Sequence, residues 1–206
     1  SRPDRGTISL KNQTVEFRSL RAAMKSGVGF VPEERKTEGL FLNDPLSANL
    51  VSSSMEQHTL FGLLNRRLIN EASESAIAAF GVKTRGPSED IGSLSGGNQQ
   101  KVMLAKWLER NPDLLIIEEP TKGVDVGAKF QIHTELLRRA AKGMAILVVS
   151  SDFPELVSLT TNILVIHEGK ITGSVAAKDA TDDSLLQMAA GLQITTDSQI
   201  QSSVEH

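Results

Sequence analysis

Three runs of adjacent aliphatic residues limit the fold more than any other feature of the chain: LLII (114–117), AILVV (145–149) and ILVI (163–166). A strand with one wet face alternates apolar and polar residues, whereas an unbroken run marks burial on both faces, the habit of parallel strands. Each run follows a stretch of helical character, GNQQKVMLAKWLER (97–110), VGAKFQIHTELLRRAAKG (126–143) and FPELVSLT (153–160). Helix and strand in alternation predict an α/β domain with a mostly parallel sheet. The last run continues as NILVIHEGKITGSV (162–175), where Glu168-Gly169 predicts a hairpin turn.

The first half reads differently. TISL (7–10) and VEF (15–17) predict a short hairpin around Lys11-Asn12-Gln13. RSLRAAMKSG (18–27) predicts a helix closed by Gly27, and VGFV (28–31) a strand ended by Pro32. Residues 33–45 are polar, with Gly39 and Pro45, and predict a loop. From Ser47 to Phe80 the pattern is helical with a break near Thr59–Asn65, and KTRGPSEDIGS (83–93) is a second loop. DDSLLQMAAG (182–191) predicts a terminal helix, and the polar tail 193–206 is expected to be mobile.

Composition narrows the function. The 206 residues are 39% hydrophobic and 23% charged, which suits a domain with a sizeable core. A formal net charge of −3 gives no footprint for nucleic acid. With zero cysteines, disulfides and thiolate metal sites are excluded. No apolar run approaches the about 20 residues that span a bilayer. His58, His133, His167 and His206 lack ligand spacing. Trp107 is expected in the core and Arg138-Arg139 on a solvated helix face. The first residue is Ser1 rather than Met, so the chain is expected to be part of something longer.

Two motifs carry chemistry. In LSGGNQQK (94–101), Ser95 is a good N-cap, and Gly96 and Gly97 let backbone approach a ligand at a helix start. Unpaired N–H groups and the positive end of the helix dipole suit an anion there, although a capped helix with a Gly-rich turn has the same sequence. In LLIIEEPT (114–121), two carboxylates sit where a buried parallel strand ends, the usual ligand edge of an open α/β sheet. One acid can hold Mg²⁺ and the next can polarise a water, against the alternative of two solvated acids at a strand exit. The stretch from Gly97 to Glu118 holds one helix and one turn, so the N-terminus of that helix lies towards the C-terminal end of the strand. GVDVGAKF (123–130) is not a phosphate loop, because its spacing is wrong and Phe130 stands for Ser or Thr. No G-x-x-x-x-G-K-[ST] loop is present.

With KGVDVGAK (122–129), VGFVPEERKTEGLF (28–41) and a strand followed by Ser150-Ser151-Asp152, these motifs resemble the nucleotide-binding domain of ABC transporters. More narrowly, they resemble the second ATPase domain in the tandem ATP-binding subunits of bacterial ribose, galactose and xylose importers, over about Arg5 to Leu192. The resemblance implies an α/β ABC-type core over 5–42 and 98–180, a helical subdomain over 43–97, and a missing Walker A strand–loop–helix. It implies that Leu94, Ser95, Gly96 and Gly97, with Gln99, form the signature that reaches the γ-phosphate of an ATP held by an opposite domain. Glu118 takes the Walker B position on Mg²⁺, Glu119 that of the general base, and Asp125 the centre of the D-loop (123–126). Glu33 falls at the Q-loop glutamine and Ser151 at the switch histidine. Implied partners are a second ABC domain of the same subunit or its dimer mate, transmembrane permease subunits and, indirectly, a periplasmic sugar-binding protein. The implied place is the cytoplasmic face of the bacterial inner membrane.

The chain departs from the family pattern at three points. Glu118 stands for the usual Walker B aspartate, Ser151 lacks an imidazole's basicity, and the Walker A loop is missing. These leave two functions open: an ATP-hydrolysing domain that powers monosaccharide import, or a hydrolytically degenerate half that completes only the partner's ATP site. Without the Walker A loop the 206 residues alone are expected to turn over no ATP, and the sheet to lack a strand and leave apolar surface exposed.

Overall fold

The parallel sheet is built from the runs at 28–31, 114–118 and 145–149. In a computed structural model that describes residues 5–192, the chain divides into two compact units, Ser1–Val149 and Ser150–His206. The predicted tail 193–206 lies outside the described residues. The first unit begins with strands β1 (Ile8–Leu10) and β2 (Gln13–Val15), helix α1 (Leu20–Lys25) and strand β3 (Val28–Val31). Lys11 and Asn12 both have positive φ, so the turn holds two residues and β2 starts at Gln13, two positions earlier than expected.

The helical stretch comprises α2 (Leu46–Val51), a 3₁₀ turn (Met55–His58) and α3 (Arg66–Phe80). The break between them is itself a hairpin, β4 (Thr59–Leu60) and β5 (Leu63–Leu64) around Phe61-Gly62. Asn65 caps α3 by accepting from Arg67 N–H at 3.0 Å, and Gly81 ends it in the left-handed conformation. Then follow α4 (Gly96–Leu108), β6 (Leu114–Glu118), α5 (Val126–Ala140) and β7 (Ala145–Val149).

Strands β3, β6 and β7 form one parallel sheet in that order, in register from Val28↔Leu114 and Leu114↔Ala145. Helix α4 packs against β3, and α5 against α4 and β7. Val102, Met103, Leu104, Leu108, Leu115, Ile117 and Ile132 are buried, and Trp107 joins them as expected.

Burial on both faces does not hold. Along β6, Leu115 and Ile117 are fully buried and Leu114 and Ile116 only half-buried. On β7, the outer strand, Leu147 and Val149 are 50% and 51% exposed. One face is covered by helices and the other is open, so an unbroken run overstated the burial. Nor is the pair Arg138-Arg139 merely solvated. Arg138 Nε and Arg139 Nε donate to buried Glu135 at 2.7 and 2.8 Å and hold its carboxyl below its ordinary pKa against burial, which acts the other way.

The second unit contains α6 (Phe153–Leu159), β8 (Asn162–His167), β9 (Lys170–Ala176) and α7 (Asp182–Ala189). The run at 163–166 therefore belongs to an antiparallel hairpin turning at Glu168-Gly169, not to the parallel sheet. Its inner residues Ile163 and Val165 meet Leu185 and Met188 of α7 in a small core. Thr181 caps α7 in a reciprocal capping box with Ser184.

Candidate functional site

The site lies where β3 and β6 stop together, at the C-terminal edge of the sheet. Glu33, two residues past β3, donates its N–H to Glu118 Oε2 at 3.3 Å. Glu119 follows with φ +43, a left-handed conformation that costs a non-glycine residue about 1 kcal/mol. It is held there because its N–H donates to Val149 C=O at 2.8 Å and its C=O accepts from Lys122 N–H at 3.1 Å. The turn so formed carries Lys122, whose ammonium pairs with Glu33 and stands 3.8 Å from Glu34. The bond to Glu33 raises the Lys122 pKa.

Helix α4 aims its N-terminus at this turn, as the short connection required. Gln100 Nε2 donates to Pro120 C=O at 2.9 Å and fixes the approach. Ser95 occupies the N-cap position, yet its hydroxyl does not cap the helix; it accepts instead from Asn98 Nδ2 at 2.9 Å. The first intrahelical bond is Gln99 N–H to Ser95 C=O, so the N–H groups of Gly96, Gly97 and Asn98 precede the ladder. Gln99 is only 6% exposed and donates to Ile91 and Leu94 C=O at 3.2 Å. It shapes the turn from within and does not face outward with Ser95.

The two glycines answer to close packing. A Cβ on Gly97 would stand 3.0 Å from the Ala128 Cβ and 3.2 Å from Asp125 Oδ2. A Cβ on Gly96 would stand 2.9 Å from Arg35 Nη2. The space that a side chain would need at these two positions is filled by helix α5 and by an arginine. Asp125 caps α5, accepting from Ala128 N–H at 2.9 Å, and this bond is the chief cause of its lowered pKa.

Several contributors carried no sequence signal. Asn98 Oδ1 accepts from Lys83 N–H at 2.9 Å and ties the preceding loop to the turn. Glu89 fastens that loop, accepting from Arg85 N–H, Thr84 Oγ1 and Ser93 Oγ at 2.5, 2.8 and 2.9 Å, and its pKa falls from 4.5 to about 2. Ser151 lies in the second unit, beside Asp152, which caps α6 by accepting from Glu155 N–H at 2.9 Å. Glu33, Glu118, Glu119, Asp125 and the turn Leu94–Gly97 are thus all brought to one edge of the first unit.

Among the described residues no group of three or more His, Asp or Glu is arranged to hold a metal ion by itself. Glu118 is a hard oxygen donor at the end of β6, which fits an ion such as Mg²⁺ that takes one or two carboxylates and completes its shell with substrate phosphates.

A parallel sheet, a glycine-rich turn heading a helix and a pair of acids at the adjoining strand end are compatible with an ATP-binding cassette. Residues 1–122 match the family model described as ABC transporter, and the chain belongs to that family. It is 43% identical over 185 residues to a galactose/methyl galactoside import ATP-binding protein of Treponema pallidum, covering 90% of this chain and 37% of that protein. It is 39% identical over 196 residues to a putative ribose/galactose/methyl galactoside import ATP-binding protein of Geobacillus kaustophilus, covering 95% and 39%. A ribose import ATP-binding protein of Yersinia pestis is 37% identical over 91% of this chain and 37% of its own length. The chain thus spans less than two-fifths of these relatives. A dimeric ATP-binding cassette in a post-hydrolysis state with ADP and Pi superposes with a TM-score of 0.72 at 18% identity, over 86% of this chain and 75% of that one. An ATP-binding cassette in its ADP conformation gives 0.71 at 17%, over 91% and 78%. At these identities the likeness establishes the fold, an ABC ATPase fold of mixed α/β type with a parallel sheet and antiparallel hairpins.

Proposed function

We propose that this chain is part of the second ATPase domain of a tandem ATP-binding subunit, and that ATP hydrolysis by that subunit powers import of a monosaccharide. The observation that carries the reading is the meeting of the α4 N-terminus with the β6 exit, fixed by the Gln100–Pro120 bond and by Gly97 packed on Asp125. That arrangement sets three N–H groups that precede the α4 ladder and two carboxylates at one edge of the sheet. The N–H groups of Gly96 and Gly97 and the Ser95 hydroxyl meet the γ-phosphate of an ATP cradled by a second ABC domain, in the same subunit or its dimer mate.

Glu119 acts as general base on the attacking water, and its constrained backbone keeps the carboxylate at the strand exit. Glu118 would hold Mg²⁺, which when bound would supply neutralising charge on the β- and γ-phosphates, and Glu33 stands at the Q-loop position. Asp125 orders the turn facing the second domain, and Ser151 stands at the position that senses the γ-phosphate. The 33–39 loop faces permease subunits at the cytoplasmic side of the cell membrane, and a periplasmic sugar-binding protein delivers the substrate to them. The relatives named as sugar import ATP-binding proteins support this reading. Among the described residues no helix is long and apolar enough to cross a membrane.

Replacing Glu119 by Gln in the full-length parent subunit is the test. The carboxamide keeps the shape and removes the basicity, so ATP turnover at the site it serves falls by about 10²-fold or more while nucleotide binding persists. Unchanged turnover at every site would remove Glu119 from the role of base.

A further inference from the structure

The loop after β3 is fastened to α4 at both ends. At its far end Gly39 C=O accepts from buried Lys106 Nζ at 3.0 Å, and a Cβ on Gly39 would collide with the Met103 thioether. In between, Arg35–Gly39 form a single π-turn, closed by Gly39 N–H to Glu34 C=O at 3.1 Å and Leu40 N–H to Arg35 C=O at 2.8 Å. Such turns are rare and concentrate at functional sites.

Arg35 is the near end. Its Nη1 donates to Lys122 C=O at 3.0 Å. Its Nη2 lies 2.9 Å from where a Gly96 Cβ would stand and 3.6 Å from the same point on Gly123, whose φ is +67. The guanidinium is therefore wedged between the signature turn and the turn after Glu119, and both positions are glycine where it touches them. Its Nε is enclosed without a hydrogen-bond partner, a cost that an arginine left in solvent does not carry.

On the reading given above, we propose that Arg35 is a positioning residue for ATP hydrolysis. It holds the Gly96 and Gly123 turns at one spacing and ties that spacing to the 33–39 loop, so that movement of the loop displaces both turns as a body. A planar guanidinium fork suits this role, since it can lie flat against two backbones while one nitrogen donates to a third. A lysine ammonium at the same place can make the bond to Lys122 C=O or fill the wedge, not both. Because Arg35 bears on the Lys122 carbonyl and on the two glycine turns, its loss acts on the chemical step more than on ATP affinity.

The test uses Arg35→Met, which keeps an apolar stem, and Arg35→Lys, which keeps the charge, in the full-length parent subunit assembled with its membrane partner. Thermal melts, ATP binding and turnover are read together. Both variants are expected to melt within a few degrees of the parent, to keep KM for ATP within about twofold and to lose at least about tenfold in kcat, the scale of a small misplacement of reacting groups. Normal kcat in a folded Arg35→Met overturns the inference. So does recovery of both kcat and melting temperature in Arg35→Lys, since charge alone then suffices, and so does failure of both variants to fold, which makes Arg35 a residue of the fold. Glu119→Gln in the same preparation separates this inference from the one beneath it. If that variant is inactive while Arg35→Met turns over normally, only the role of Arg35 fails.

Discussion

Glu119 is constrained twice over: a carboxylate at a strand exit, on a backbone at φ +43. Strain of that kind persists where the surroundings fix it and function uses it. Glu119→Gly is therefore predicted to leave the fold as stable or more stable, by up to about 1 kcal/mol in chemical denaturation, while it abolishes turnover. Glu89 gives a second prediction at this scale. Its folded pKa of about 2 lies below the ordinary 4.5, so its contribution is complete above about pH 4.5 and is lost as pH falls towards 2. An NMR titration of the Glu89 carboxyl is expected to give a midpoint near 2, and Glu89→Gln to be less stable than the parent at pH 7 but equal to it near pH 2. A Glu89 midpoint near 4.5 would remove it as the fastener of the loop before the Leu94–Gly97 turn.

At the scale of elements, Gly97 and the outer strand make the predictions. Gly97→Ala places a methyl 3.0 Å from the Ala128 Cβ, so α4 and α5 must part. The expected cost is about 1–3 kcal/mol, read as a lower denaturation midpoint. Strand β7 presents half-exposed Leu147 and Val149 on an edge without a further strand in its sheet among the described residues. Edges of that kind recruit other chains, so Leu147→Lys is predicted to reduce self-association of this chain in sedimentation while leaving its circular dichroism unchanged. Much of this was legible beforehand. VGFV closed by Pro32, the strand opening at LLII and the helix opening at Val126 are local signals, and each stands where the sequence placed it. The misplacements have physical causes. ILVI resembles a buried parallel strand because one face of its hairpin packs on α7 and the other happens also to be aliphatic, with Leu164 and Ile166 exposed. The β4–β5 hairpin went unread because its turn begins with Phe61, 97% exposed at φ +52, where Asn or Gly is the usual signal. Asn98 and Arg35 act through contacts with Lys83 and Lys122, distant in sequence, which no local pattern encodes.

For the molecule as a whole, what matters is that the described residues of the first unit supply acids and a glycine-rich turn but the chain has no G-x-x-x-x-G-K-[ST] loop to cradle a triphosphate. The 206-residue chain alone is accordingly predicted to release no phosphate from ATP above background, and sustained turnover by it would show that the cradle is dispensable. The central claim is that the Ser95 turn serves a nucleotide held elsewhere. A structure of the full-length parent subunit with a non-hydrolysable ATP analogue and Mg²⁺ measures this directly. The prediction is that Ser95 Oγ and the N–H groups of Gly96 and Gly97 lie within hydrogen-bond distance of a γ-phosphate whose remaining ligands come from another ABC domain. A turn directed at solvent, or at a nucleotide bound wholly within its own domain, would contradict it.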